Sequence, residues 1–483
     1  MDENGKKDYS KSTRSGTTGS YQTAGLWQDI KNSVKGVEYD FTDGNIGRAI
    51  LLLSIPMVLE MAMESVFAVV DIFFVAKLGA EAVAAVGLTE SLLTVVYAMA
   101  MGLSMATTAL VARRAGEKQA EKAAQTAVQA ILVGIVISLP VAFAGLFYSD
   151  FLLKMMGASP RIVNELSGYT TVILTGNVVV MLLFIINAVF RGVGDAAISM
   201  RVLWFSNIIN IILDPLLIFG IGPFPELGVT GAAIATVTGR GLGVCYQLYQ
   251  IHYRSKRIRL EFRHWFFDLQ LIRKLVRLSL GGIGQFLIAT ASWIGLTRII
   301  AEFGSTALAG YTIAIRIIIF SLLPSWGMSN AAATLVGQNL GAGKPYRAER
   351  SVWLTSLINM GFLTLVGIAF YIFSAELVTL FTDQPNVITI GSQCLRIISI
   401  GYLFYSFGMI ITQAFNGAGD TMTPTYLNFF CFWMIEIPLA WFLALNLNLN
   451  EQGVFWAIVV AESLLGVIGI FIFRRGTWKR KKV

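Results

Sequence analysis

The sequence predicts an all-α polytopic membrane protein, with twelve transmembrane helices arranged as two parallel six-helix repeats around a central cavity. Three observations predict it. The 483-residue chain is 55% hydrophobic and only 14% charged, against roughly 25% charged residues in soluble domains. Apolar runs of about 20 residues, the length that crosses a bilayer, recur along it. One constant offset of 225 residues lays the second half on the first.

Taken in order, residues 1–44 are polar and read as a cytoplasmic tail. They lack a basic start followed by an apolar run, so they do not read as a cleaved signal peptide. Within them "LWQDIKNSVKGV" is long enough only for a short interfacial helix, and a disordered tail is the preferred reading. Twelve spans follow, near 49–76, 84–110, 124–148, 166–190, 202–221, 229–251, 279–301, 307–335, 352–373, 388–414, 426–445 and 454–473. Backbone polar groups cannot stay unpaired in lipid, and the alternation of a barrel strand is absent, so each span is expected to be a helix. The chain divides into an N-lobe (45–252, spans 1–6), a basic inter-lobe loop (253–278), a C-lobe (279–473, spans 7–12) and a basic tail (474–483).

Most of the 37 basic residues fall in the two tails and in the loops after even-numbered spans. Basic loops stay inside, so both termini are expected in the cytoplasm and the protein in the plasma membrane. The net charge of +8 is thereby an orientation signal, and no nucleic-acid partner is expected. A monomer in the lipid bilayer is.

The repeat is visible in motifs. Under the 225-residue offset "KLGAEAVAAVGL" (77–88) meets "EFGSTALAGYTI" (302–313), and "MGLSMATTALVARRAG" (101–116) meets "WGMSNAAATLVGQNLG" (326–341). "FRGVGD" (190–195) meets "FNGAGD" (415–420). Six spans per unit is an even number, so both halves enter from the same side. Parallel repeats with a site between or within them are a transporter plan.

No cofactor is expected. "GQNLGAGKPY" (337–346) fails as a nucleotide loop, because Gln338 replaces the first glycine and Pro345 the Ser/Thr. Transport must then draw on an ion gradient or be passive. Cys245, Cys394 and Cys431 are far apart in apolar runs and read as free buried thiols. His252 and His264 share the basic loop, so no nucleophile or metal set for a membrane enzyme is in view.

The chemistry concentrates in intramembrane acids, whose insertion costs ~2.5–3.5 kcal/mol each. Span 1 carries Glu60, Glu64 and Asp71, which at 100° per residue fall within roughly 40° of one another. Such a stripe faces the protein interior or a wet cavity, or is paired with basic residues. Pro56 marks a kink in the same helix. Span 5 places Asn207, Asn210 and Asp214 on one face, and span 4 supplies Asn187. Two carboxylates close together in low dielectric cannot both hold charge cheaply, so a proton can load there; the same oxygens suit Na⁺. Spans 7 and 10 have no carboxylate, only Gln285 and Tyr402 as polar possibilities. Glu436 and Glu462 on spans 11 and 12 read as helix-to-helix hydrogen-bonding groups.

Over residues 45–475 the chain resembles the multidrug and toxic compound extrusion family. The resemblance rests on "VDIFFVAKLGAEAVAAVG", "NAVFRGVGD", "NIILDPLLIFG" and "GVTGAAIAT". The start "YDFTDGNIGRAILLLSIP" is similar to the branch named after DNA-damage-inducible protein F. The resemblance implies that Asp71 and Asp214 carry the coupling ion, H⁺ or Na⁺ (with the two aspartates as ligands if Na⁺), and that Asn187, Asn210 and Thr236 line the pocket. It further implies that span 1 bends at Pro56. Glu60 and Glu64 are added as pocket residues on their alignment alone. Relatives with a C-lobe ion site use acids on spans 7 and 10, which this chain lacks.

The expected function is secondary antiport: export of amphipathic organic cations, as small-molecule substrates, in exchange for H⁺ or Na⁺. The alternative is a flippase of lipid-linked oligosaccharides. It would need Arg240, Arg298, Arg316 and Arg396 clustered around the cavity to hold a pyrophosphate.

Overall fold

In the computed structural model the described residues are 25–36, 39–255 and 257–481. Most of the polar tail lies outside them. Among them no strand occurs. The first helix is α1 (Leu26–Lys35), followed by α2 (Ile46–Ala76), α3 (Ala80–Gly116), α4 (Ala120–Met155), α5 (Pro160–Thr175), α6 (Asn177–Val193), α7 (Ala196–Phe219) and α8 (Gly228–Tyr249). The second half contains α9 (Leu269–Ala301), α10 (Ser305–Gly341), α11 (Pro345–Thr379), α12 (Pro385–Ile400), α13 (Tyr402–Gly417), α14 (Met422–Asn446) and α15 (Asn450–Arg474). With the pairs α5–α6 and α12–α13 each counted as one crossing, α2 to α15 supply twelve spans. Nine of these pass on length and apolarity, or ten with the bent pair; α2 and α8 complete the set, at 31 and 22 residues, lengths that cross the hydrocarbon core.

The offset seen in the sequence governs the backbone. α10 begins and ends 225 residues after α3, and α12 likewise after α5. Gly176 interrupts the fourth crossing and Gly401, its repeat partner, the tenth, where α12 and α13 meet at 63°. Tyr148 in α4 and Phe373 in α11 are non-helical at equivalent positions. Gly79 and Gly304 open α3 and α10 at φ 104° and 92°, a conformation in which a β-carbon is strained. Repetition of irregularities as well as of helices means that the two lobes share one architecture.

Each lobe has its own core. Leu103, Ile186, Phe190 and Val202 pack in the first, and Tyr311, Leu363, Leu395 and Phe455 in the second. The lobes meet at the end that bears the termini and the basic loops. There glycines let backbones touch: a β-carbon on Gly116 would collide with the Gln338 backbone, and one on Gly341 with that of Arg113. Gln338 also donates to the Gly192 carbonyl (2.8 Å) across the seam. Residues 39–45 form a strap over it. Arg257 of the inter-lobe loop holds the Tyr39 carbonyl (3.0 Å), while Arg347 in the second half holds those of Asp43 and Gly44 (2.7 and 2.8 Å). Lys344 pairs with Asp43, and Phe41 is buried beside Ala331 and Leu335.

Three readings change. Residues 26–35 are not a free tail but the helix α1, whose Asp29 and Ser33 are buried against α2 and α7. α9 starts at Leu269 rather than near 279, capped by the Asp268 carboxylate, which accepts from the Gln270 and Leu271 amides. Positive residues orient a span without ending a helix, which is why the basic loop concealed this start. All three cysteines are free, but Cys245 lies exposed on the surface of α8.

Candidate functional site

α7 carries a buried polar cluster inside the first lobe. Its Asn210 and Asp214 are one turn apart and buried. Asn210 Nδ2 donates to Asp214 Oδ1 (3.3 Å) and to Thr236 Oγ1 of α8 (3.1 Å). Asp214 is 0% exposed, and its Oδ2, like Asn210 Oδ1, has no hydrogen-bond partner among the described residues. A buried oxygen of this kind is costly unless something neutralises or ligates it.

α2 supplies a second acid. Asp71 is half-buried, and its charge acts on Asp214, as those of Glu90 and Arg240 act on Asp71. Tyr97 and Tyr169 stand within the same field. The rest of the acidic stripe is neutralised. Glu60 Oε1 accepts from Arg191 Nη1 of α6 (2.9 Å), with both residues buried. Glu64 Oε1 accepts from Arg240 Nη2 (3.3 Å), its Oε2 from Asn207 Nδ2 (3.2 Å), and the Arg240 guanidinium lies 5.5 Å from the centre of the Phe67 ring. Arg240 therefore stands between two sets of acids: paired with Glu64, and in the field of Asp71.

Pro56 does not interrupt α2, which is continuous from Ile46 to Ala76. Proline has no N–H, so the carbonyl four residues earlier, that of Leu52, loses its helical donor. Ser33 Oγ of α1 takes that place at 3.0 Å. α1 thus satisfies the carbonyl that Pro56 frees within an unbroken α2.

The predicted residues thus separate. Asp214, Asn210 and Thr236 are joined by hydrogen bonds, and Asp71 reaches Asp214 through its charge. Glu60 and Glu64 share their stripe but are occupied by arginines. Asn187 stands apart: its Oδ1 accepts from Gln247 Nε2 (2.7 Å), tying α6 to α8, and none of its described hydrogen bonds reaches the two aspartates. Sequence reasoning missed Arg191, Glu90 and Ser33. Glu90 is an acid within a span, a signal that was available. Arg191 stood in "FRGVGD", a motif taken only as a mark of the repeat. Ser33 had no signal at all, because its role depends on where α1 docks. Among the described residues no group of three or more His, Cys, Asp or Glu could hold a metal ion, so a Na⁺ here would draw on amide and hydroxyl oxygens as well.

The family model MatE matches residues 56–216 and again 283–442, once in each repeat. The probable multidrug resistance protein NorM of Thermotoga maritima is 27% identical over 91% of this chain and 94% of its own length. A MATE crystal structure in the straight conformation superposes with a TM-score of 0.86 at 25% identity, over 92% of this chain and 99% of that one. One in the bent conformation gives 0.84 at 25% identity, over 93% and 98%. Matched twice by the same family model over two lobes of one architecture, this membrane protein belongs to the multidrug and toxic compound extrusion (MatE) family.

Proposed function

We propose that the protein is a secondary multidrug efflux antiporter of the plasma membrane, with its basic end in the cytoplasm, exporting amphipathic organic cations in exchange for H⁺ or Na⁺. The observation that carries the reading is the unpartnered Asp214 Oδ2, beside Asn210 and its partner Thr236, with Asp71 in its field. A cation of either kind removes the cost of the unmatched charge. Organic substrate and coupling ion then compete for the same acids, and competition of this kind is what exchange requires.

The moving element is α2. Glu60–Arg191 and Glu64–Arg240 fasten it to α6 and α8, while the Pro56 hinge rests on one hydroxyl. When Asp71 is neutralised Arg240 loses one of its two acidic fields, so the force holding α2 straight changes with ion occupancy. Asn187 acts by holding Gln247 and so positions α8. The flippase alternative is disfavoured by the arginines. Arg240 pairs with Glu64, Arg298 with Glu302 and Arg396 with Ser374, and Arg316 lies in the field of Glu90, so each of the four is engaged by a group of its own rather than left for a pyrophosphate.

Efflux of a fluorescent organic cation from proteoliposomes, with a pH gradient or a Na⁺ gradient imposed separately, tests the proposal. One gradient should drive transport in the native protein and neither in Asp71→Asn. Undiminished gradient-driven efflux by that variant would reject the assignment.

A further inference from the structure

α1 lies outside the two segments matched by the family model, the first of which begins at residue 56, and its outer face has no part in the proposed exchange. The inner face is accounted for. Asp29 pairs with Arg48 (2.6 Å) and Ser33 Oγ donates to the Leu52 carbonyl (3.0 Å), so successive turns of α1 lie on successive turns of α2. Asp29, the one acid of the helix, is thereby turned inward and buried. The opposite face carries Trp27, Lys31, Val34 and Lys35, all exposed, with Trp27 at 78%. At 100° per residue these four fall within about 100° of one another. A β-carbon on Gly36 would stand 3.1 Å from Arg201 Nη2 of α7 and 3.5 Å from Asp195 Oδ1. The lysine stripe therefore ends beside one further cation and one acid.

The contacts with α2 set the depth of this face. Between Asn45 and Leu53 that chain passes from polar Asn45 and Arg48 to the unbroken apolar run 49–53, the change that marks the boundary between headgroups and hydrocarbon. α1 lies across it. Tryptophan is favoured at this level, and lysine stems can lie along apolar surface while their ammonium groups reach the headgroups. A soluble partner would have to displace lipid to reach the face; the headgroups are already there, and a basic surface complements the anionic ones.

We propose that the Trp27–Lys35 face of α1, with Arg201, binds anionic phospholipid headgroups of the leaflet on the side of the termini, and that this contact seats Ser33 on the Leu52 carbonyl. A ten-residue helix is marginal on its own backbone, so a lipid that holds its outer face raises the occupancy of the bond its inner face makes. Membrane charge is thereby felt at the gap that Pro56 leaves in the α2 ladder. The inference stands on the docking of α1 and does not depend on the ion assignment at Asp71 and Asp214.

The test is amide hydrogen exchange of α1 in the full chain, in nanodiscs of phosphatidylcholine alone and of phosphatidylcholine mixed with phosphatidylglycerol. Exchange should be slower in the anionic discs by about 25-fold, about fivefold for each lysine. In Lys31→Gln/Lys35→Gln the slowing should fall to about fivefold or less, the part that Arg201 alone can supply. Equal exchange of the native protein in both lipids, or a slowing as large in the variant as in the native protein, would overturn the proposal. Glycerol phosphate added to the phosphatidylcholine discs separates a lipid from a free phosphate: it should leave exchange unchanged, and a slowing equal to that of the anionic discs would refute a lipid site. Should the variant not fold, photoactivatable lipids give the answer in the native protein. Photoactivatable phosphatidylglycerol should label α1 more than its phosphatidylcholine counterpart, and equal labelling would be the contrary result.

Discussion

Ser33→Ala removes a single hydroxyl, and its expected effect can be worked from the structure. The Ser33 Oγ–Leu52 carbonyl bond is 3.0 Å long and both residues are buried, at 4% and 8% exposure. Pro56 cannot supply the helical N–H that would otherwise satisfy Leu52. Deleting the hydroxyl leaves a buried carbonyl unpaired, at a cost of about 1–3 kcal/mol. At 1.4 kcal/mol per factor of ten, the docked state of α1 on a straight α2 should weaken by about 5- to 150-fold. Amide hydrogen exchange in nanodiscs reads this directly: α1 should exchange faster by a factor in that range, and Ser33→Thr should stay near the native rate. A double-mutant cycle sharpens the test. Pro56→Ala restores an N–H to Leu52, so Ser33→Ala should cost less in that background than in the native one. Equal costs in both would show that the serine does not stand in for the missing amide, and would refute the reasoning.

Further outcomes follow from the same contacts. Glu60→Gln strands the Arg191 guanidinium in the core and should cost about 3–5 kcal/mol, seen as a lower unfolding temperature, whereas Glu60→Met with Arg191→Met should recover most of it. Gly116→Ala drives a β-carbon into the Gln338 backbone; overpacking costs about 1–3 kcal/mol, so spin labels at Lys122 and Arg350 should report a longer distance across the seam. The Asp40 carboxyl sits below its ordinary value. Burial pushes it up, but the Thr42 hydroxyl and amide, with Lys118 and Lys344, outweigh that. A depressed carboxylate stabilises above its unfolded value and loses that contribution as pH falls through the folded one, so protease cleavage in the strap should rise only below about pH 4.

The sequence disclosed more of the architecture than of the contacts. The offset of 225 anticipates the common bounds of α3 and α10 because a duplicated chain repeats its helix signals. The breaks at Gly176 and Gly401 follow the same offset, but glycine inside an apolar run reads equally as a packing residue. The stripe of Glu60, Glu64 and Asp71 was legible from helical periodicity, since three acids on one face cannot meet lipid. Which acid is free was not legible. Arg191 lies 131 residues from Glu60 and Arg240 lies 176 from Glu64, so the pairing is made by packing alone. Asn187 shows the reverse limit: the family resemblance put it in the pocket, but Gln247 from another helix claims its carbonyl oxygen. α1 was set aside in favour of a tail because a ten-residue helix gains little from its own backbone and depends on the surface it docks against.

The proposed exchange through Asp71 and Asp214 is most directly measured as cation released when substrate binds. Purified protein in a weakly buffered nanodisc suspension, titrated with an organic cation, should release H⁺ into a pH indicator or Na⁺ into a sodium-selective electrode. The release should vanish in Asp71→Asn/Asp214→Asn, whatever substrate binding that variant retains. Equal release by the native protein and the variant would contradict the account.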